Sequence, residues 1–177
     1  MTAYVALLGG INVGGRTLKM DALRATAERC GFEQVSTFIQ SGNVLFRSKL
    51  GAARVSAVLH DAILEDSGID TRVATRTAAQ LRAVVASNPF PDRIEDPTKV
   101  SVTFLFDGVT PTLAALAPDV YAPDEVQLIG REAYLHTPNG MGKANLTPAL
   151  MKKLGLHGTT RNWRSTCTLA ELAARPD

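Results

Sequence analysis

Three short segments hold residue types suited to binding an anion. The first is Gly9-Gly10-Ile11-Asn12-Val13-Gly14-Gly15-Arg16, between an apolar run and a helical pattern. Glycines let backbone N–H groups come close to a phosphate, and a following helix start adds a favourable partial charge. Arg16 and Lys19 are placed to close on that phosphate. The spacing is neither GxGxxG nor GxxxxGK[ST], so no standard nucleotide fingerprint is present. The same glycines also suit a plain turn of positive φ. The second segment is Gln40-Ser41-Gly42-Asn43, in which Ser41 and Asn43 are candidates to orient a ligand. A hairpin turn asks for Gly and Asn on backbone grounds alone.

The third segment is C-terminal. Asn139-Gly140-Met141-Gly142-Lys143-Ala144-Asn145 is a glycine-broken basic loop. Residues 159–166 then bring Arg161, Asn162, Trp163 and Arg164 to the start of a helix, with Thr160 as its expected N-cap. Arginine grips phosphate and an indole stacks on a base. With Trp163 in the core and the arginines in water, the same residues are purely structural.

Charge supports this choice of segments. The net charge is only +2. Yet no Asp or Glu occurs from Ala133 through Ala170, a stretch that holds Lys143, Lys152, Lys153, Arg161 and Arg164. The basic surplus is therefore local. Other chemistries find less support. There is no GxSxG, no HExxH and no paired carboxylate. His60, His136 and His157 lack metal-ligand spacing, and Cys30 and Cys167 form no CxxC, so neither a metal nor a cofactor is expected. Two distant cysteines read as reduced thiols of a cytoplasmic protein. The N-terminus has no basic n-region, and no apolar run approaches the roughly 20 residues that cross a bilayer.

The elements that must position these segments follow from periodicity. Residues 4–8 read as a strand, 20–30 as an amphipathic helix, and 35–39 and 44–46 as a hairpin. Residues 52–66 read as a second helix and 71–75 as a strand. That order, β-α-β-β-α-β, is the ferredoxin-like split βαβ plan. A helix over 77–86 and a Pro-rich break follow. Then come a strand at 100–106, a short helix at 111–116 begun by Thr110 and Pro111, and a hairpin of 126–129 with 133–136. Helices at 148–154 and 162–174 complete the chain. The fold class is α+β: two ferredoxin-like halves in tandem, with antiparallel or mixed sheets, helices on one face and a C-terminal helix. The expected division is 1–86, a linker at 87–98, and 99–177, with the possibility of one shared core. No residue-level repeat is evident.

Leu7-Leu8-Gly9-Gly10-Ile11-Asn12-Val13-Gly14-Gly15, Gly31-Phe32, Ile39-Gln40-Ser41-Gly42-Asn43-Val44-Leu45-Phe46, Asn88-Pro89-Phe90 and Thr160-Arg161-Asn162-Trp163 occur in this order along nearly the whole chain. Together they resemble the bacterial family catalogued as domain of unknown function 1697. The resemblance implies the duplicated α+β plan and brings no reaction, substrate or cofactor. The family commonly has Arg where this chain has Gly9, so an anion contact made there elsewhere is missing here or replaced by Arg16.

The leading expectation is a binding protein for an anionic small molecule or nucleic acid. Its site would be built from Asn12, Gly14, Gly15, Arg16, Ser41, Asn43, Lys143, Arg161, Asn162 and Arg164. Two alternatives stand beside it: an enzyme acting on a phosphorylated or nucleotide substrate, and a ligand-free interaction or assembly module. No membrane partner is expected, and an oligomer is possible.

Overall fold

The computed structural model describes residues 1–106 and 120–175. The helix expected at 111–116 lies outside the described residues. By its internal contacts the chain divides into two compact units, Met1–Ala83 with Thr168–Asp177, and Val84–Cys167.

In the first unit, β1 (Thr2–Leu8), β2 (Glu33–Phe38), β3 (Asn43–Ser48) and β4 (Val73–Thr77) form one antiparallel sheet in the order β2-β3-β1-β4. The period-2 alternation of β1 sends Tyr4, Ala6 and Leu8 to one face. There they join Val44 and Phe46 of β3 and the stripes of α1 (Met20–Arg29) and α2 (Ala52–Ser67). The α2 stripe is Val55, Leu59 and Ile63, four residues apart and buried, as one face of a helix requires. Phe32 stacks on Phe46 with ring centroids 4.3 Å apart. Each fully buried Leu or Ile in this cluster contributes about 2 kcal/mol.

The second unit repeats the plan. Its antiparallel sheet holds β5 (Val100–Leu105), β6 (Glu125–Ile129), β7 (Glu132–His136) and β8 (Gly158–Asn162), in the order β6-β7-β5-β8. A cluster of Leu105, Ala133, Leu135, Leu146, Met151, Leu154 and Leu156 packs beneath it, around α4 (Pro148–Lys153). Both halves thus carry the expected tandem α+β plan.

The structure corrects the reading of residues 158–162. They form a strand, so Thr160 is no helix cap. Gly-Thr-Thr-Arg-Asn is polar throughout and shows no apolar alternation, which hides it from a periodicity argument. The helix that follows, α5 (Trp163–Ala173), is capped instead by Asn162, whose Oδ1 accepts the Ser165 N–H at 2.8 Å.

With β8 in place, a residue-level repeat appears. Arg76 of β4 pairs with Val5 of β1, and Arg161 of β8 pairs with Val102 of β5. Thr75-Arg76-Thr77 and Thr160-Arg161-Asn162 are therefore equivalent, and each runs straight into a helix, α3 (Ala78–Ala86) or α5. Thr77 and Gln80 form a reciprocal capping box at the first junction, at 2.8 and 3.1 Å. No described helix is long and apolar enough to cross a membrane.

Candidate functional site

The glycine-rich segment is a small, tightly determined structure. Val13 and Arg16 face each other as an isolated antiparallel bridge, and the Arg16 N–H donates to the Val13 carbonyl at 3.3 Å. Between them Gly14 and Gly15 have φ of +59° and +86°. Two consecutive positive φ values are the signature of a type I′ turn, which favours glycine at both central positions. Neither glycine N–H donates to a backbone acceptor among the described residues, and Gly14, Gly15 and Arg16 are all exposed.

Asn12 locks this hairpin in place. Its φ is +55°, a conformation Asn tolerates better than most side chains. Its Oδ1 accepts the Leu18 N–H at 2.9 Å, and its Nδ2 donates to the Leu18 carbonyl at 3.2 Å and the Gln40 carbonyl at 2.5 Å. The last bond joins the first predicted segment to the second. Within the 39–43 turn, Asn43 is fully buried and donates from Nδ2 to the Phe38 carbonyl and to Ser41 Oγ, both at 2.9 Å. Ser41 and Asn43 therefore brace the turn, and the Asn12, Gly14, Gly15 and Arg16 hairpin projects beside it.

The floor of the loop is the 68–72 segment. Gly9 is held on both sides, donating its N–H to the Arg72 carbonyl at 3.0 Å and accepting from Thr71 Oγ1 at 2.7 Å. Arg16 Nη1 reaches the Asp70 carbonyl at 3.4 Å, a long contact that leaves most of its five donors to solvent. The Asp70 carboxylate is engaged elsewhere: His60 lies 2.9 Å from it through Nε2 and 3.0 Å from Asp61 through Nδ1. These hydrogen bonds, to Asp70 first and Asp61 second, raise the His60 pKa above the ordinary histidine range. Protonated His60 thus stabilises the fold. That contribution is full below the unfolded value of about 6.5 and is lost as pH rises through the raised folded value. The urea midpoint of the protein should fall more between pH 5.5 and pH 8.5 than that of His60→Gln. Equal falls would contradict the pairing.

In the second unit Lys143 is exposed in a 3-10 turn, Met141–Lys143, that opens after Gly140. Asn162 and Arg164 are exposed, and Asn162 already serves as a cap. Arg161 is buried. It donates to Thr159 Oγ1 at 2.6 Å and to the Thr160 carbonyl at 2.9 Å, and burial lowers its pKa to about 10. Trp163 is only 7 % exposed, so its indole offers no open stacking face. The basic side chains of this segment are thus divided between interior and surface, a division that sequence spacing alone does not reveal.

Elsewhere, Arg93 and His136 both engage Glu125 Oε1, at 2.8 and 3.0 Å, in a cluster the sequence reading did not single out. Its members lie 32 and 11 residues from Glu125, too far apart for any local motif. Burial pushes the Cys30 thiol up, away from an activated thiolate. Among the described residues no group of three or more His, Cys, Asp or Glu is placed to hold a metal ion.

No curated protein matches this chain. The structure of conserved bacterial protein SP0830 from Streptococcus pneumoniae is similar over 99 % of each chain, with a TM-score of 0.82 and 20 % identity. At that identity the likeness is one of fold. The family model described as a protein of unknown function, DUF1697, matches residues 1–134. The chain, with its GINVGG hairpin and QSGN turn inside that span, belongs to this family.

Proposed function

We propose that this protein binds a phosphate-bearing ligand, a nucleotide or nucleic acid, at the 12–16 hairpin of the first unit. The observation that supports this reading is a bridged hairpin that presents two exposed glycines beside an exposed arginine. Among the described residues, its glycine N–H groups are not spent on backbone acceptors. One Asn12 side-chain bond, to the Gln40 carbonyl, ties that hairpin to the neighbouring turn, and two more, with the Leu18 N–H and carbonyl, close the loop behind it. A loop that is already ordered loses little entropy when it binds. Exposed amides and a guanidinium suit the charge and geometry of phosphate oxygens.

The reading rests on the first unit alone and asks nothing of the buried Arg161. Cys30 and Cys167 are not joined in a disulfide, which fits a reducing cytoplasm as the place of work. Calorimetric titration with pyrophosphate tests it. Wild-type protein should bind, and Arg16→Ala should weaken binding about tenfold, as expected for a lost charge-assisted hydrogen bond. Since Arg16 is exposed, its removal should leave the melting temperature nearly unchanged. Equal binding by the two proteins would refute the assignment.

A further inference from the structure

Resting on the reading above, we infer that Val13 and Ile39 form the seat for the ring of the ligand, so that this site takes a nucleotide rather than bare phosphate. Val13 is 61 % exposed and Ile39 is 49 % exposed. Single exposed aliphatic residues are ordinary on protein surfaces. These two are set apart by where they stand.

Val13 is the bridge partner of Arg16 across the hairpin. Ile39 precedes Gln40, whose carbonyl accepts from Asn12 Nδ2 at 2.5 Å. One hydrogen bond thus joins the two loops, with an exposed aliphatic residue adjacent to each of its ends and a cation beside one of them. Neither side chain joins the buried cluster of this unit.

Ile39 also sits at φ +50°, where a β-branched residue is a genuine outlier and glycine is the natural occupant. Strained residues of this kind concentrate at ligand-binding sites. This exposed, strained isoleucine is not among the buried residues of this unit's core. Beside Arg16 and the glycine amides, an occupant that covers it carries an anionic end. Two aliphatic side chains cover one face of a ring and are too few to sheath an acyl chain. A heterocycle bearing phosphates meets both demands.

The test compares pyrophosphate with ADP, GDP and UDP by calorimetry, on wild-type protein and on Val13→Ser, Ile39→Gly and Arg16→Ala. The best diphosphate nucleotide should bind at least tenfold tighter than pyrophosphate. Val13→Ser and Ile39→Gly should each remove several-fold of that advantage, weakening the nucleotide more than pyrophosphate, and Arg16→Ala should weaken both ligands. Ile39→Gly should melt no lower than wild type, because glycine relieves the strained φ, so its lost affinity is not lost folding. Nucleotide and pyrophosphate bound equally, both through Arg16, would overturn this inference and leave the anion site standing. No binding of any of the four would overturn both. A dT12 oligonucleotide bound tighter than every nucleotide, with no effect of Ile39→Gly, would overturn the inference in favour of nucleic acid.

Discussion

Replacing Gly42 by alanine should destabilise the protein by about 3 kcal/mol, the largest effect expected of any methyl group added to these loops. Two costs combine. Gly42 has φ +74°, where an L side chain is strained. A Cβ placed there would also collide with the Ile11 side chain and lie 3.0 Å from Leu8 Cβ. Ile11 and Leu8 are both buried in the first unit's core, so neither has open space to move into. The Gly42 carbonyl accepts the Leu8 N–H at 2.9 Å, and backing the turn away would break that bond. For a chain of this size the loss corresponds to roughly 10 °C in melting temperature. Ile11→Val removes the Cδ1 that the new methyl meets. The double variant Ile11→Val Gly42→Ala should therefore be more stable than the two single losses added together. Strict additivity would show that backbone strain alone sets the cost.

The second large effect belongs to Asn12. Alanine at this position removes all three of its side-chain bonds and leaves the Leu18 N–H and the Gln40 carbonyl without that partner. The loop carbonyl and amide regain water, so stability should fall by about 2 kcal/mol and not more. The binding cost should be larger in kind. Once unclamped from the 39–43 turn, the hairpin must be ordered at the moment of binding, and pyrophosphate affinity should fall by more than the tenfold expected of Arg16→Ala. Asn12→Asp keeps the Oδ1 acceptor for the Leu18 N–H and loses both Nδ2 donor bonds, to the Gln40 and Leu18 carbonyls. It should recover part of the stability and little of the affinity. An Asn12→Ala variant that binds as wild type would show that the hairpin needs no clamp.

Most of the fold was legible in the sequence because most of it rests on apolar periodicity. Val55, Leu59 and Ile63 mark α2, and the alternation of Tyr4, Ala6 and Leu8 marks β1. The strand β8 was not legible. Its buried positions are Thr159 and Arg161, residue types that pattern reading assigns to loops. The repeat that pairs Arg76 with Arg161 became visible only through register, since each is defined by the valine opposite it.

At the candidate site the sequence singled out two segments that the Asn12–Gln40 hydrogen bond joins, but not the part each residue plays in them. Ser41 and Asn43 looked like ligand groups, and they brace a turn. Asn12 is the clamp because Gln40, 28 residues away, lies against it, and no local pattern records that contact. Exposure separates Arg161 from Arg164, three residues apart and chemically alike. Strain at Ile39 is a property of φ, which a residue name does not disclose.

The central claim is that the 12–16 hairpin is where phosphate oxygens bind, and amide chemical shifts report on it residue by residue. Titrating 15N-labelled protein with pyrophosphate should move the Gly14 and Gly15 amide resonances and the Arg16 side-chain Nε–H together, with one saturation curve. Resonances of the hairpin that stay fixed at pyrophosphate concentrations saturating any other part of the protein would contradict the claim.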